Sequence, residues 1–275
     1  MHDPREGVTR HGTIRTGASR GAIAPVHDQV LQAAIDAVSP PAGLYVYGSV
    51  ATGTAVVPTS DVDLLSLGLP VAEAHRISAD LSARFSDRYR EVSVAAVSRD
   101  ELEDRSDEGY GFRVFLRHYC VHLAGTDPAA RLPAYRADAR AARGFNGDIA
   151  RHMQRWTAEL AGDADLGVPQ LGTSIARKTL LAVAGLVSLR DATWSTDRRA
   201  CAARWNELEP DTRLDALVTW LDTPPRDIEA IQPVLQGPVT AIVRAFGSEI
   251  GLWDHDRCAA APANTDGPPG LTNDR

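Results

Sequence analysis

Residues Leu44 to Ser66, Leu-Tyr-Val-Tyr-Gly-Ser-Val-Ala-Thr-Gly-Thr-Ala-Val-Val-Pro-Thr-Ser-Asp-Val-Asp-Leu-Leu-Ser, constrain the fold more than any other part of the chain. Leu44 to Tyr47 reads as a short apolar strand and Gly48-Ser49 as a turn. After a run of small residues, a second apolar strand opens on Asp61 and Asp63. Side chains two apart on a strand share a face, so Asp61 and Asp63 present two carboxylates together while Val62 points the other way. Two acids aimed at one spot repel unless a cation lies between them. Hard oxygen donors of this kind suit Mg²⁺.

Gly48-Ser49, ten intervening residues, then Ser60-Asp61-Val62-Asp63 resembles the signature of the polymerase-β-type nucleotidyltransferase superfamily. The resemblance implies that Gly48, Ser49 and Ser60 meet a nucleoside triphosphate and that the paired acids hold the metals that activate it. It also implies a third acid on a following strand. Tyr89 to Val97 alternates as a strand, and Glu91 is its only acid.

The chain is 275 residues long and 44% hydrophobic, enough for one large domain or two modest ones. Its formal net charge is -7 and its basic residues form no clustered run, which argues against a nucleic-acid partner and for a small ligand in a local cleft. Lys178 is the only lysine. Cys120, Cys201 and Cys258 are scattered with no CxxC spacing, so neither a disulfide framework nor a zinc ribbon is indicated, and a reducing cytoplasm is expected. Neither a signal peptide nor a run long enough to span a membrane is visible. Residues 1–20 and 258–275 are expected to be a flexible N-terminus and a disordered tail.

Between the ends, the pattern changes once. Residues 21–130 read as helix (Pro25 to Val38), strand, strand, helix (Pro70 to Phe85), strand, then a further helix from Gly111 to Leu123. Residues 131–257 read as helices throughout: Tyr135 to Arg143, Asn146 to Leu160, Ser174 to Leu189, Asp197 to Glu207, Arg213 to Leu221 and Arg226 to Leu252. Turn signals at Gly162 to Gly167, Asp191 to Thr193 and Thr223 to Pro225 separate several of these helices. The expected class is α+β: an α/β nucleotidyltransferase domain with a small mixed sheet, followed by an all-α helical-bundle domain.

Arg177 to Trp205 resembles the C-terminal helical domain of the aminoglycoside adenylyltransferases acting on streptomycin and spectinomycin: a basic-headed apolar helix, a turn, basic residues and an Ala-Ala-x-Trp stretch in the same order. That resemblance implies that Lys178 and Arg199 (or its neighbour Arg198) approach the phosphates from the second domain across a cleft, and that Glu91 acts as catalytic base. The chain departs from the family where an arginine of the apolar helix falls on Gly185. It departs again where acids that hold a cationic acceptor fall on Thr173, Ser174 and Ile175, and the segment between Glu91 and Gly125 is short. Trp156 with Glu159 is a candidate lining for the acceptor site, although tryptophans here read mostly as packing between helices. His118 and His122 are four apart on an expected helix, which is metal-ligand spacing, but no flanking Glu supports it and core or surface roles are preferred.

These features lead to the expectation of a nucleotidyltransferase with two Mg²⁺ ions on Asp61, Asp63 and Glu91. It would move a nucleoside monophosphate, AMP from ATP in the first instance, onto a hydroxyl of a small polar acceptor such as an aminoglycoside antibiotic, conferring resistance. Two alternatives stay open: a toxin-like nucleotidyltransferase acting on RNA or protein, and a catalytically silent nucleotide-binding sensor.

Overall fold

The structure, a computed structural model, describes residues 3–39, 42–162 and 167–253. The Gly162 to Gly167 turn signal lies largely outside the described residues, and the C-terminal tail lies wholly outside them. The described chain divides into two compact units, residues 3–105 with 112–135, and residues 106–111 with 136–253. The first is α/β and the second is helical, the α+β organisation expected from the change of pattern.

In the first unit a four-stranded sheet runs in the order β5-β4-β3-β6: β3 is Gly43–Tyr47, β4 Val62–Leu67, β5 Val92–Val97 and β6 Val121–Ala124. β3 is antiparallel to β4 and β6, while β4 and β5 are parallel, joined by the right length of crossover through helix α3, Val71–Arg84. Alternation sorts the strands into two faces. Leu44 and Val46, Val62 and Leu64, Val92 and Val94, and Val121 form one face. They pack in a single core with Val30, Leu31 and Ala34 of helix α1 (Asp28–Ala37) and Ala74, Ile77 and Leu81 of α3. Tyr47, Asp63 and Ser93 are paired across the strands on the other face.

Helix α3 is also bonded to β5. Ser82 Oγ lies 2.9 Å from both the N and the O of Val92, and Val94 N donates to Ser78 Oγ at 2.9 Å. Four residues of helix advance about 6 Å and two of strand about 6.6 Å, so Ser78 and Ser82 match Val94 and Val92 in step.

Two expectations are corrected here. The helix expected over Gly111 to Leu123 is α4, Asp107–Tyr119, and the chain then turns into β6, whose residues pair with β3 as Leu44–Ala124, Tyr45–His122 and Val46–Val121. A four-residue segment gains little from its own propensity, and its partner strand decides its state. Residues 3–20 are not loose. β1 (Gly7–Val8) and β2 (Ile14–Arg15) form a hairpin, Ile14 is buried and its N donates to Tyr135 O at 2.9 Å, and Arg5 Nη2 donates to Thr52 O at 2.8 Å.

Gly125 ends β6 at φ 76, and a Cβ there would stand 1.9 Å from Ala42 O. Both the left-handed backbone and the clash with main chain penalise a side chain. Gly125→Ala is therefore expected to cost about 2–4 kcal/mol in urea unfolding.

The helical unit is built around α7, Val168–Arg190, whose residues from Ile175 to Ser188 are buried almost without interruption. A helix apolar on all sides has to be central. Around it lie α5 (Ala139–Asn146), α6 (Ile149–Ala161), α8 (Arg198–Leu208), α9 (Asp215–Trp220) and α11 (Thr240–Glu249). The segment expected as one helix from Arg226 to Leu252 is interrupted: α10, Ile228–Val234, passes through a π-turn at Leu235–Val239 before α11. Pro233 and Pro238 lack the N–H that a regular helix needs at those places.

Candidate functional site

The site grows from the ends of β3, β4 and β5. Tyr47, the last residue of β3, pairs with Asp63 of β4, which pairs with Ser93 of β5. One step earlier Val62 pairs with Val92, and its N donates to Glu91 O at 2.9 Å. Arg90 N donates to Ser60 O at 3.3 Å. Asp61 and Glu91 are thus neighbours across the parallel pair, in the alternation phase of Asp63.

Environment separates the three acids. Asp63 is 4% exposed, Asp61 is partly covered, and Glu91 is open to solvent. Burial, and after it the Asp63 carboxylate, push the Tyr47 phenol far above its usual range, which keeps Tyr47 neutral and its ring packed edge-on to Phe115 of α4 at 5.2 Å. Gly48 follows at φ 72, a left-handed value that turns the chain from β3 directly into the short helix α2, Gly48–Thr52. The Ser49 carbonyl accepts from Thr54 N and Ala55 N at 2.9 and 3.1 Å, fixing the turn. Ser60 Oγ accepts from Val56 N at 2.8 Å, so in this structure that hydroxyl shapes the loop before the acids.

The sequence reading missed Arg90. Its Nε donates to Asp61 Oδ1 at 2.8 Å and its Nη2 to Asp61 Oδ2, a two-pronged pair that leaves the Asp61 side chain only 12% exposed. The guanidinium is held above its usual range. The hydrogen bond to Asp61 is the main cause, partly opposed by burial, and the charges of Asp61, Glu91 and Asp63 add to it. An arginine one residue before an acid in an alternating strand looks like an outward-facing surface residue, so only the cross-strand register reveals the pair.

The carboxylates suit a divalent cation in donor chemistry, because they are hard oxygens on one face and a cationic group is already drawn to all three. Their placement does not gather them. Among the described residues no three His, Cys, Asp or Glu side chains form a group that could hold a metal ion, and Asp61 is turned onto Arg90.

Comparison with known proteins adds little. No protein-family model matches the chain, and no curated protein matches it. Among solved structures it is similar to a spectinomycin adenyltransferase from Enterococcus faecialis, determined with ATP and spectinomycin. That similarity has 11% identity, covers 80% of this chain and 97% of that one, and has a TM-score of 0.48. At such values the likeness carries no argument about this chain.

The residues expected from the helical unit have other engagements. Lys178 is 5% exposed and its Nζ lies 2.6 Å from Asp148 Oδ1, with Phe145 O at 3.4 Å. Burial alone would raise the Asp148 carboxyl. Lys178, together with His152, whose Nε2 is 3.0 Å from Asp148 Oδ2, reverses that and holds it well below the usual carboxylate range. Trp156 is fully buried against the His152 ring, so it is core and cannot line an acceptor site as placed. Glu159 pairs on the surface with Arg155 at 3.5 Å, and Arg199 with Asp222 at 2.6 Å. Of the two basic positions left open, Arg198 is the distinctive one. Its Nε donates to Arg177 O at 3.0 Å, and burial, then the charge of Arg177, push it down to about 10.

His118 and His122 are on different elements, α4 and β6, and share no face. His118 Nε2 accepts from Tyr135 N at 2.9 Å, and burial, then Arg117, bring its imidazole down to about 4. His122 Nδ1 faces Asp127 at 3.9 Å. Among the described residues no helix is long and apolar enough to cross a membrane.

Proposed function

We propose that the chain is a nucleotidyltransferase that moves a nucleoside monophosphate, from ATP or another nucleoside triphosphate, onto a hydroxyl of a small polar acceptor. The observation that carries the reading is the single edge formed by Asp61, Asp63 and Glu91 at the start of two parallel strands, directly beyond the Gly48-Ser49 turn. Asp61 and Asp63 would hold Mg²⁺, with Glu91 completing the set. A metal there would supply neutralisation of the charge on the triphosphate. In the transfer itself, the acceptor oxygen forms a bond to the α-phosphorus, the bond to pyrophosphate breaks, and the hydroxyl proton goes to a base. Glu91, being exposed, is the carboxylate able to reach that proton. Buried Asp63 is suited to a fixed charge rather than to proton exchange.

Lys178 is disfavoured for phosphate contact, because its charge is committed to Asp148. An aminoglycoside is the leading acceptor class. The resemblance of the Arg177 to Trp205 stretch supports it, and the departures at Gly185 and at Thr173 to Ile175 weigh against it.

The test is incubation with Mg²⁺, labelled ATP and panels of aminoglycosides, tRNA and proteins, following pyrophosphate release and the labelled product. Transfer to a small hydroxylated acceptor is the expected result. Label on tRNA or protein alone would move the activity to a macromolecular target, and ATP binding without turnover on any acceptor would leave a silent nucleotide-binding protein.

A further inference from the structure

We propose that residues 3–22 form a brace that holds the Gly48-Ser49 turn in place from behind, and that Arg5 is its principal positioning residue. The inference rests on the reading of that turn as the place where a nucleoside triphosphate is received. It is carried by how the carbonyls of α2 are satisfied. A helix as short as α2, Gly48–Thr52, has little stability of its own and depends on what caps it. Gly48 O and Ser49 O share the hydroxyl of Thr52, each at 3.2 Å, and Val50 O accepts from Gly53 N at 3.3 Å. The last two carbonyls are taken by a segment far away in the chain. Ala51 O accepts from Ser19 N at 3.1 Å, and Thr52 O accepts from Arg5 Nη2 at 2.8 Å. Arg5 thereby brings a positive charge to the C-terminal end of the helix, where the main-chain dipole favours it. Ala22 closes the contact: a Cβ on Gly53, whose φ is 74, would stand 2.6 Å from Ala22 O.

A brace has to be fixed itself, and this one is. Asp3, 9% exposed, accepts from Arg5 N at 3.0 Å and also from Gly17 N, which closes the segment into a loop with Arg5 at its neck. Tyr119 at the end of α4 donates its hydroxyl to Glu6 Oε1 at 2.6 Å, and Thr16 Oγ1 donates to His118 O. Ile14 N donates to Tyr135 O. The short helix is therefore held by β3 at its N-terminal end and by the anchored loop at its C-terminal end. Without Arg5, Thr52 O is left to water and the turn is held on one side alone. A turn that is less well preorganised costs affinity for the group it receives, so the loss falls on nucleotide binding.

The experiment measures ATP binding to the full chain by titration calorimetry, with Mg²⁺ in the buffer, and amide hydrogen exchange without nucleotide. The proteins are wild type, Arg5→Met, Arg5→Lys and Arg10→Met. Methionine keeps much of the apolar stem and removes the donor and the charge, whereas lysine keeps both. Arg10 lies on the same segment and its Nε donates to His11 Nε2 at 3.0 Å, so its replacement removes an equal charge and leaves the Thr52 contact intact. Arg5→Met is expected to weaken ATP binding by about threefold to tenfold and to speed exchange at the Gly53, Thr54 and Ala55 amides by a similar factor. Arg5→Lys should recover most of both losses, and Arg10→Met should change neither by more than about twofold. If wild type binds ATP and Arg5→Met binds it as tightly, or Arg10→Met loses as much, or lysine recovers nothing, or exchange at the three amides is unchanged, the brace is overturned and the nucleotide reading stands. If wild type binds no ATP at millimolar concentration, the nucleotide reading falls and the brace falls with it. Should Arg5→Met fail to fold, Asp3→Asn, which removes one acceptor from the neck of the loop, carries the same expectations.

Discussion

Asp63→Asn is expected to lower pyrophosphate release from ATP by about a thousandfold or more, a loss of roughly 4 kcal/mol of transition-state stabilisation. The substitution keeps the shape of the side chain and removes its charge, so whatever the carboxylate does electrostatically is lost while packing is kept. Asp63 is 4% exposed beside Tyr47, and ionised groups are costly to bury. Because the substitution keeps that packing, the variant is expected to unfold close to the temperature of wild type. Activity falling while stability holds or rises is the pattern of a group retained for chemistry at a structural cost. Parallel calorimetry and pyrophosphate assays check it. A fall in both would make Asp63 a structural residue and remove the main support for the proposed function.

Lys178→Met should act in the opposite sense, lowering stability by about 3–5 kcal/mol in urea unfolding, because it strands the Asp148 carboxylate in the interior of the helical unit. Lys178→Met combined with Asp148→Asn should recover most of that loss, since the charge left behind is then gone. The pH dependence follows from the direction of the Asp148 shift. Its folded-state value is below its unfolded value, so its contribution is fully present above the unfolded carboxyl pKa, about 3.9. It drains away as the pH falls further, when the unfolded chain takes up a proton that the folded one refuses. Stability in wild type should thus decline below about pH 4, and the double variant should lose this part of the decline. If instead Lys178→Met left stability unchanged and raised the KM for ATP, the phosphate role read from the sequence would be the correct one.

What was legible in the sequence is what obeys a short period. Leu44 to Tyr47, Val62 to Leu67 and Val92 to Val97 announce themselves by apolar runs or alternation, and the two-residue spacing of Asp61 and Asp63 carries straight into the strand geometry. The centrality of α7 is equally readable from its unbroken apolar run, Leu180 to Val187. What escaped depends on partners far along the chain. β6 exists because β3 has a free edge for it, and the N-terminal hairpin is held by residues near 52 and 135. The engagement of each charge escaped for the same reason. A sole lysine at the head of an apolar helix suggests a ligand contact, but Asp148, thirty residues earlier, claims it. Arg90 reads as solvent-facing until the register of β4 and β5 places Asp61 within its reach.

The two serines of α3 have a consequence for how copies of this protein meet. β5 is the outermost strand on its side of the sheet, and the main-chain N and O of Val92 and the N of Val94 are engaged by Ser82 and Ser78. A strand from another molecule would find the start of that edge already occupied, so growth of the sheet by edge pairing is disfavoured next to Glu91. The open carboxylate beside it is thereby kept clear of an added strand and accessible to small solutes.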